Sequence, residues 1–507
     1  MRPSQTYAIL SSVSLGLLVI ACGDSGGPNP PPPSVTAEAL QIISGNEQQT
    51  ATGRALAEPL MVRVMGSNDQ PLAGATVQWS VTQGQATLEP AQSTTDAGGH
   101  AETRVTIGGT PGSIVVSAVV QDVTPVTFSI TALDPRAFLT VSAGYGHTCG
   151  VTASGDAYCW GANNYGKLGD GSDPLEVQFS PRLVLGGLSF AEVSAGGHHT
   201  CGITTAGAAY CWGYDEARTR PAPVPVGGGV VFESVSTGGY HTCGVTAAGE
   251  AYCWGPNGAG ELGDGTTIAR SSPVLVAGGL TFASVGGGNE YTCGLTRAGA
   301  AYCWGANHAG QLGDGTRTDH LTPAPVAGGI SFQSLGVSAL SACGATAAGA
   351  TYCWGWNTEG QLGTGTTAGH ESCVHVAPCS AVPVPMVGGV SFARLGGGVT
   401  NSHSCGVTAA GAAYCWGWNV VGQLGDGTAS GNEVCYPGGR DFPSSPCSTV
   451  PVPVAGGLSF DAVSAGAFHS CGVTPAGAVY CWGWNEVGQL GTRTGGQHLT
   501  PVLVSIE

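Results

Sequence analysis

Nineteen cysteines carry most of the latent chemistry in this 507-residue sequence. Fourteen of them form seven pairs, each ten residues apart: Cys149-Cys159, Cys201-Cys211, Cys243-Cys253, Cys293-Cys303, Cys343-Cys353, Cys405-Cys415 and Cys471-Cys481. Zinc sites put two to four residues between paired cysteines, whereas these pairs hold nine, so the spacing points to cross-links and not to a metal. Between Cys149 and Cys159 lies GVTASGDAY, a glycine-containing turn flanked by strand-forming residues. A hairpin centred on Ser154 sets the two cysteines opposite one another, at disulfide distance. Closing so small a loop stabilises the fold by roughly 3 kcal/mol per bridge in the chain-entropy description. Two further pairs, Cys373-Cys379 and Cys435-Cys447, use four more cysteines, and Cys22 is left over. Nine disulfides and no free thiol are the expectation for an oxidising compartment.

The other reactive residue types are less suggestive of catalysis. His147, His199, His241, His403 and His469 each stand two residues before a paired cysteine, where Tyr291 and Ser341 stand in two other repeats. A position that tolerates tyrosine and serine reads as packing, not as a metal or proton site. Asp170, Asp264, Asp314 and Asp426 occupy L-G-D-G-T/S turns and lack the patterned oxygen ligands calcium needs. The run His370-Glu371-Ser372-Cys373-Val374-His375 has its histidines five apart, off a common helical face, unlike H-E-x-x-H. There is no G-x-S-x-G, phosphate loop or dinucleotide fingerprint. The sequence therefore predicts no catalytic residues, no metal, no cofactor and no enzymatic activity.

The elements that hold the cysteines recur seven times. Each unit reads as four short strands: F-x-x-V/L, HTCGVT-like, AYCWG-like and a closing PVxV, with starts at Phe138, Phe190, Phe232, Phe282, Phe332, Phe392 and Phe460. A period near fifty residues with four strands per unit predicts propeller blades, in which neighbouring sheets bury each other's faces. Alternation puts Tyr158 and Trp160 on one face and Cys159 on the other, so the aromatic pair packs between blades. Insertions GHESCVHVAPCS and GNEVCYPGGRDFPSSPCS interrupt units five and six, and in repeats such insertions map to one face. They bring His370, Glu371, His375, Tyr436, Arg440, Asp441 and Phe442, the candidate partner-binding residues.

The segments WGANNYGKLGDGS, WGPNGAGELGDGT, WGANHAGQLGDGT and WGWNVVGQLGDGT resemble the W-G-x-N-x-x-G-Q-L-G-x-G-T core of regulator of chromosome condensation repeats, over residues 138–507. The cysteine pairs and PVPV endings resemble the exported bacterial branch of that family. Unit two departs: after Trp212 it reads GYDEARTRPAPVPV, with no GQLG loop. Residues 37–134, with AGATVQW and TDAGGHA, are similar to bacterial Ig-like domains of the invasin and intimin type, Trp79 being the core tryptophan. The fold class expected is all-β, a seven-bladed β-propeller preceded by an Ig-like β-sandwich.

At the N-terminus, Arg2 precedes the apolar run Ala8–Ile20, and Val19-Ile20-Ala21-Cys22 resembles the lipobox of bacterial lipoproteins. That resemblance implies a signal peptide over residues 1–21 and lipidation at Cys22. The proline-rich residues 22–36 then form an extended spacer.

Only 9% of residues are charged, the net charge is −17, and Lys167 is the single lysine, which argues against nucleic acid. The expectation is an exported monomer, lipid-anchored to the bacterial envelope or cell surface, whose propeller binds a protein. The family resemblance also implies two alternatives: guanine-nucleotide exchange, or inhibition of β-lactamase-type enzymes.

Overall fold

The computed structural model describes residues 35–215, 218–368, 371–373, 377–398, 403–429, 433–435 and 445–506. In unit one the four segments form strands Phe138–Ala143, His147–Thr152, Ala157–Ala162 and Val177–Leu183, paired antiparallel in chain order. The turn between the second and third strands closes through Gly155 N–H donating to Thr152 O at 2.8 Å, with Gly155 at φ +84°. That left-handed conformation is one glycine adopts without strain. The turn sets Cys149 opposite Cys159, with Cα atoms 4.1 Å apart and the sulfurs bonded. All nine cysteine pairs named above are bonded, the seven hairpin pairs directly across their strands and Cys373-Cys379 and Cys435-Cys447 with Cα atoms 5.8–5.9 Å apart.

The other six units repeat this order, with one difference from the four-strand expectation. Units five and six each gain a fifth strand, Glu371–Ser372 and Glu433–Cys435, paired to the outer side of the closing strand. The start of each insertion thus folds back on its own sheet, beside its disulfide.

Each sheet has two unlike faces, as strand alternation requires. In unit one the face carrying Cys149, Cys159, Val151 and Leu168 packs on Phe190, Val193 and Trp212 of unit two. The same pairing recurs around the molecule and ends with Cys471, Cys481 and Leu490 of unit seven against Phe138 and Trp160 of unit one. The sheets therefore close into a ring. Every unit is one contiguous segment, so closure rests on this last interface and not on an exchanged strand.

Residues 37–133 form two antiparallel-rich sheets of four and five strands. The strand Leu60–Gly66 buries every second residue, and its inward side chains share one core with Trp79, Val116 and Phe128. Trp79 Nε1 donates to Ser93 Oγ at 2.8 Å, which satisfies the one polar atom of a buried indole.

Candidate binding face

The G-Q-L-G segment is the part that joins one unit to the next. In unit four Asn307 Oδ1 accepts from Leu312 N–H at 3.0 Å, folding the loop back on itself. The same bond recurs at Asn163, Asn257, Asn357, Asn419 and Asn485. Leu312 is then buried against the next sheet. The carbonyl just before it, on Gln311, accepts from Trp354 Nε1 of unit five at 3.0 Å. Equivalent bonds tie Trp160 to Gln489, Trp304 to Glu261, Trp416 to Gln361 and Trp482 to Gln423, at 2.9–3.0 Å. Glycine must follow the leucine, because at Gly263, with φ +68°, a Cβ would stand 2.7 Å from Trp304 Nε1.

The histidines complete the joint. His469 Nε2 lies 2.7 Å from Thr148 Oγ1, and that hydroxyl donates to Gln489 O at 2.8 Å. Because the hydroxyl hydrogen is committed to the carbonyl, the imidazole is the donor and carries its proton on Nε2. His147 to Thr200 and Lys167 O, His241 to Thr292 and Glu261 O, and His403 to Ser470 and Gln423 O repeat the relay. Burial holds His241, His403 and His469 neutral, with pKa values lowered to about 3. Burial, with the nearby Lys167 charge, pulls His147 well below its usual range too.

Unit two lacks the loop, and its interface with unit three is correspondingly thinner. Its third and fourth strands turn directly, Tyr214 opposite Thr219 and Asp215 opposite Arg218. Among the described residues, Trp254 Nε1 and Thr242 Oγ1 of unit three have no carbonyl to donate to; the hydroxyl lies 2.8 Å from His199 Nε2 and donates to the disulfide sulfur of Cys201 at 3.4 Å. The core between units two and three contains no loop leucine. In its place is a cavity of about 110 Å³ bordered by Cys211, Trp212, Tyr214, Val226, Tyr240 and Trp254, with Arg220, His199 and Thr242 also on its wall.

From this cavity a row of aromatic rings runs across the same face. Tyr165 lies 5.0 Å from Tyr214, and His198 lies 4.9 Å from Tyr240 and 6.2 Å from Tyr145, stacked on both. Phe468 continues the row 5.7 Å from Tyr145, 5.5 Å from Trp484 and 5.8 Å from Trp418. Tyr145, Tyr165, Tyr214 and Tyr240 are 37–45% exposed. Under Tyr145 the only lysine is buried: Lys167 Nζ donates to Tyr145 O at 2.6 Å, and burial lowers its pKa to about 8.

Trp356 and Trp418 are opposite Cys379 and Cys447, so the stapled insertions of units five and six rise from the end of the sheets that carries the row. Of the candidate partner-binding residues only Glu371 is described, and its carboxylate accepts from Arg317 Nη2 of unit four at 3.1 Å. His370, His375, Tyr436, Arg440, Asp441 and Phe442 lie outside the described residues, as does Cys22. Sequence reasoning missed the row itself. A usable signal is present: aromatic rings stand directly before the histidine two residues ahead of the first paired cysteine in units two, three and seven, and directly after C-W-G in units two, five, six and seven.

A ring of antiparallel sheets, each built from one repeat and joined to the next by a buried loop, defines a β-propeller repeat protein. The Regulator of chromosome condensation (RCC1) repeat matches residues 154–203, 248–295, 298–346, 348–399, 410–473 and 476–507, more than half of the sequence, and the chain belongs to this repeat family. A second profile of the repeat matches 138–167, 190–217, 232–261, 282–311 and 460–489, so neither covers 218–231, the closing segment of unit two. The Bacterial Ig-like domain (group 1) matches residues 40–132.

Among curated relatives, the human "Probable E3 ubiquitin-protein ligase HERC4" is 38% identical over 87 residues, 17% of this chain and 8% of that protein. The human "RCC1 domain-containing protein 1" is 40% identical over 73 residues, 14% of this chain and 19% of that protein. The match spans less than a fifth of either relative. Yeast RCC1 (Prp20), solved bound to Kap60, superposes with a TM-score of 0.58 at 17% identity, over 72% of this chain and 85% of that one. Human WBSCR16 does so at 0.57 and 18%, over 69% and 94%. At such identities the likeness establishes the fold.

Proposed function

We propose that this chain is a non-enzymatic protein of the bacterial envelope or cell surface, exported, anchored by lipid on Cys22, and monomeric. Its ring is a seven-bladed propeller, and an Ig-like sandwich spaces it from the membrane. The propeller face bearing the aromatic row binds another protein. The row carries this reading: several tyrosines stand 37–45% exposed on one face of a ring whose other aromatic rings are mostly buried. Such contiguous exposed aromatic surface marks interaction sites, and tyrosine and tryptophan are enriched among binding anchors. The described ends of the two stapled insertions adjoin Trp356 and Trp418 at that end of their sheets, which supports their taking part.

The test is capture from envelope extracts by the wild-type chain, by the triple variant Tyr145→Ala, His198→Ala, Tyr240→Ala, and by a variant lacking residues 429–448. A specific partner retained by wild type is lost by the triple variant; equal capture by all three overturns the reading. Replacing Cys22 by alanine moves the protein from the membrane fraction to the soluble fraction if the anchor is there. Guanine-nucleotide exchange and β-lactamase-type inhibition rest on the family likeness alone. Release of nucleotide from a small GTPase, and a β-lactamase assay, separate them from simple binding.

A further inference from the structure

We propose that the vacant loop seat between units two and three is a peptide-binding site that takes a glycine-flanked leucine turn from a partner protein. The proposal builds on the protein-binding reading and names the chemistry at one end of the face. The ring itself shows what the seat accepts. In five of the six other seats a backbone carbonyl receives an indole N–H from the next unit, Trp212 Nε1 being the exception, and in all six the leucine after that carbonyl is buried in the interface. In the seat of unit two both the carbonyl and the leucine are missing while their receivers remain. Among the described residues Trp254 Nε1 has no acceptor, while Thr242 Oγ1, 2.8 Å from His199 Nε2, gives its hydrogen to the disulfide sulfur of Cys201 at 3.4 Å, a weaker acceptor than the carbonyl found in the other seats. An indole N–H without an acceptor and a hydroxyl held only by a sulfur thus border the same cavity.

Size and geometry fit the same occupant. An apolar cavity of about 150 Å³ accepts benzene, so this one of about 110 Å³, walled by Trp212, Val224, Val226 and Trp254 and edged by Arg220 and Thr242, has room for a branched aliphatic side chain. A turn is required because the carbonyl must face Trp254 while the next side chain enters the core, as the loop does at Gln311-Leu312-Gly313. A second copy of this chain is a poor donor: Leu168, Leu262, Leu312, Leu362, Leu424 and Leu490 are all fully buried in their own ring. The leucine turn must come from a different protein, and Tyr214 and Tyr240 at the cavity edge continue into the aromatic row that would hold the rest of it.

The probe is the ten-residue peptide of residues 307–316, NHAGQLGDGT, added to the full chain labelled with 5-fluorotryptophan and followed by 19F NMR, with the Trp254 resonance assigned from Trp254→Phe. The Trp254 signal shifts and saturates with this peptide, and binding weakens by more than about tenfold when its leucine is replaced by alanine. A graft that replaces residues 215–218 with the same ten residues fills the seat from within, raises the melting midpoint and abolishes the shift. No shift at millimolar peptide, or an equal shift with the alanine peptide, overturns the proposal. If the graft does not fold, Val226→Trp, which occupies the cavity with one side chain, replaces it with the same expected loss. Because the graft leaves Tyr145, Tyr165 and His198 in place, a graft that still captures the envelope partner while wild type ignores the peptide sinks the seat and spares the face.

Discussion

His469 Nε2 lies 2.7 Å from Thr148 Oγ1, a hydrogen bond between the seventh unit and the first that closes the ring. The threonine hydrogen is already given to Gln489 O, so the imidazole donates from Nε2, and it is burial that keeps the ring neutral. The folded pKa of about 3 lies below the unfolded value near 6.5, so the unfolded chain takes up a proton that the folded chain refuses. The stabilisation is whole above pH 6.5 and is lost as pH falls toward 3. His241 and His403 have the same lowered value and His147 the same direction, so stability should fall increasingly steeply as pH drops below 6.5, each histidine adding at most about 1.4 kcal/mol per pH unit. Denaturation midpoints between pH 7.5 and 5 check this, and a flat profile there would refute it. His403→Gln should remove about a quarter of the slope.

Glu192 should show the opposite sign. Its carboxylate, in the first strand of unit two, accepts from Val235 N–H at 3.2 Å, and burial raises its pKa to about 7. The folded chain therefore keeps a proton that the unfolded chain releases above about 4.5. Its contribution is complete below pH 4.5 and disappears as pH rises through 7. Glu192→Gln should stabilise the protein at pH 8 by up to about 3 kcal/mol, reduced by residual contact with water, and leave it unchanged at pH 4. Equal effects at both pH values would refute the assignment.

Much of this arrangement was legible in the residues. The cysteine spacing and the Ala153-Ser154-Gly155 turn identify the hairpin because both members of the pair lie within one local segment. The seven units and the missing loop of unit two are legible for the same reason. The histidine relay was not, since His147 meets Thr200 and Lys167 O across an interface that no local pattern records. Nor was the aromatic row: Tyr145 and His198 occupy neighbouring, non-equivalent places in their repeats and meet only through ring curvature. The insertions were recognisable as departures, but that Glu371 spends its charge on Arg317 depends on where unit four ends.

Lys167 stands where units four to seven carry glutamine. Its folded pKa of about 8 is below the unfolded value of about 10.5, so its burial weighs on stability throughout the range below 8 and is relieved as pH rises to 10.5. Lys167→Gln should raise stability at pH 7 by about 1–3 kcal/mol, after allowing for the lost bond to Tyr145 O, and should flatten the profile between pH 8 and 10.5. Chemical denaturation at pH 7 and 10 measures both; a loss at pH 7 would show that the bond outweighs the burial.

The open seat also exposes a disulfide. Of the fourteen cysteines in the seven hairpin pairs, Cys211 is the one that is only partly buried, and it borders the cavity. Thiol–disulfide exchange requires a thiolate to reach a sulfur along the bond axis, so access decides the order of reduction among bridges of similar geometry. Limited reduction of the native protein followed by alkylation and mass mapping should label Cys201 and Cys211 before any other hairpin pair. The loop graft, which covers Cys211, should bring their labelling down to the rate of the rest. First labelling at Cys293 and Cys303, whose unit keeps its leucine, would show that reduction follows global opening of the ring and not the local gap.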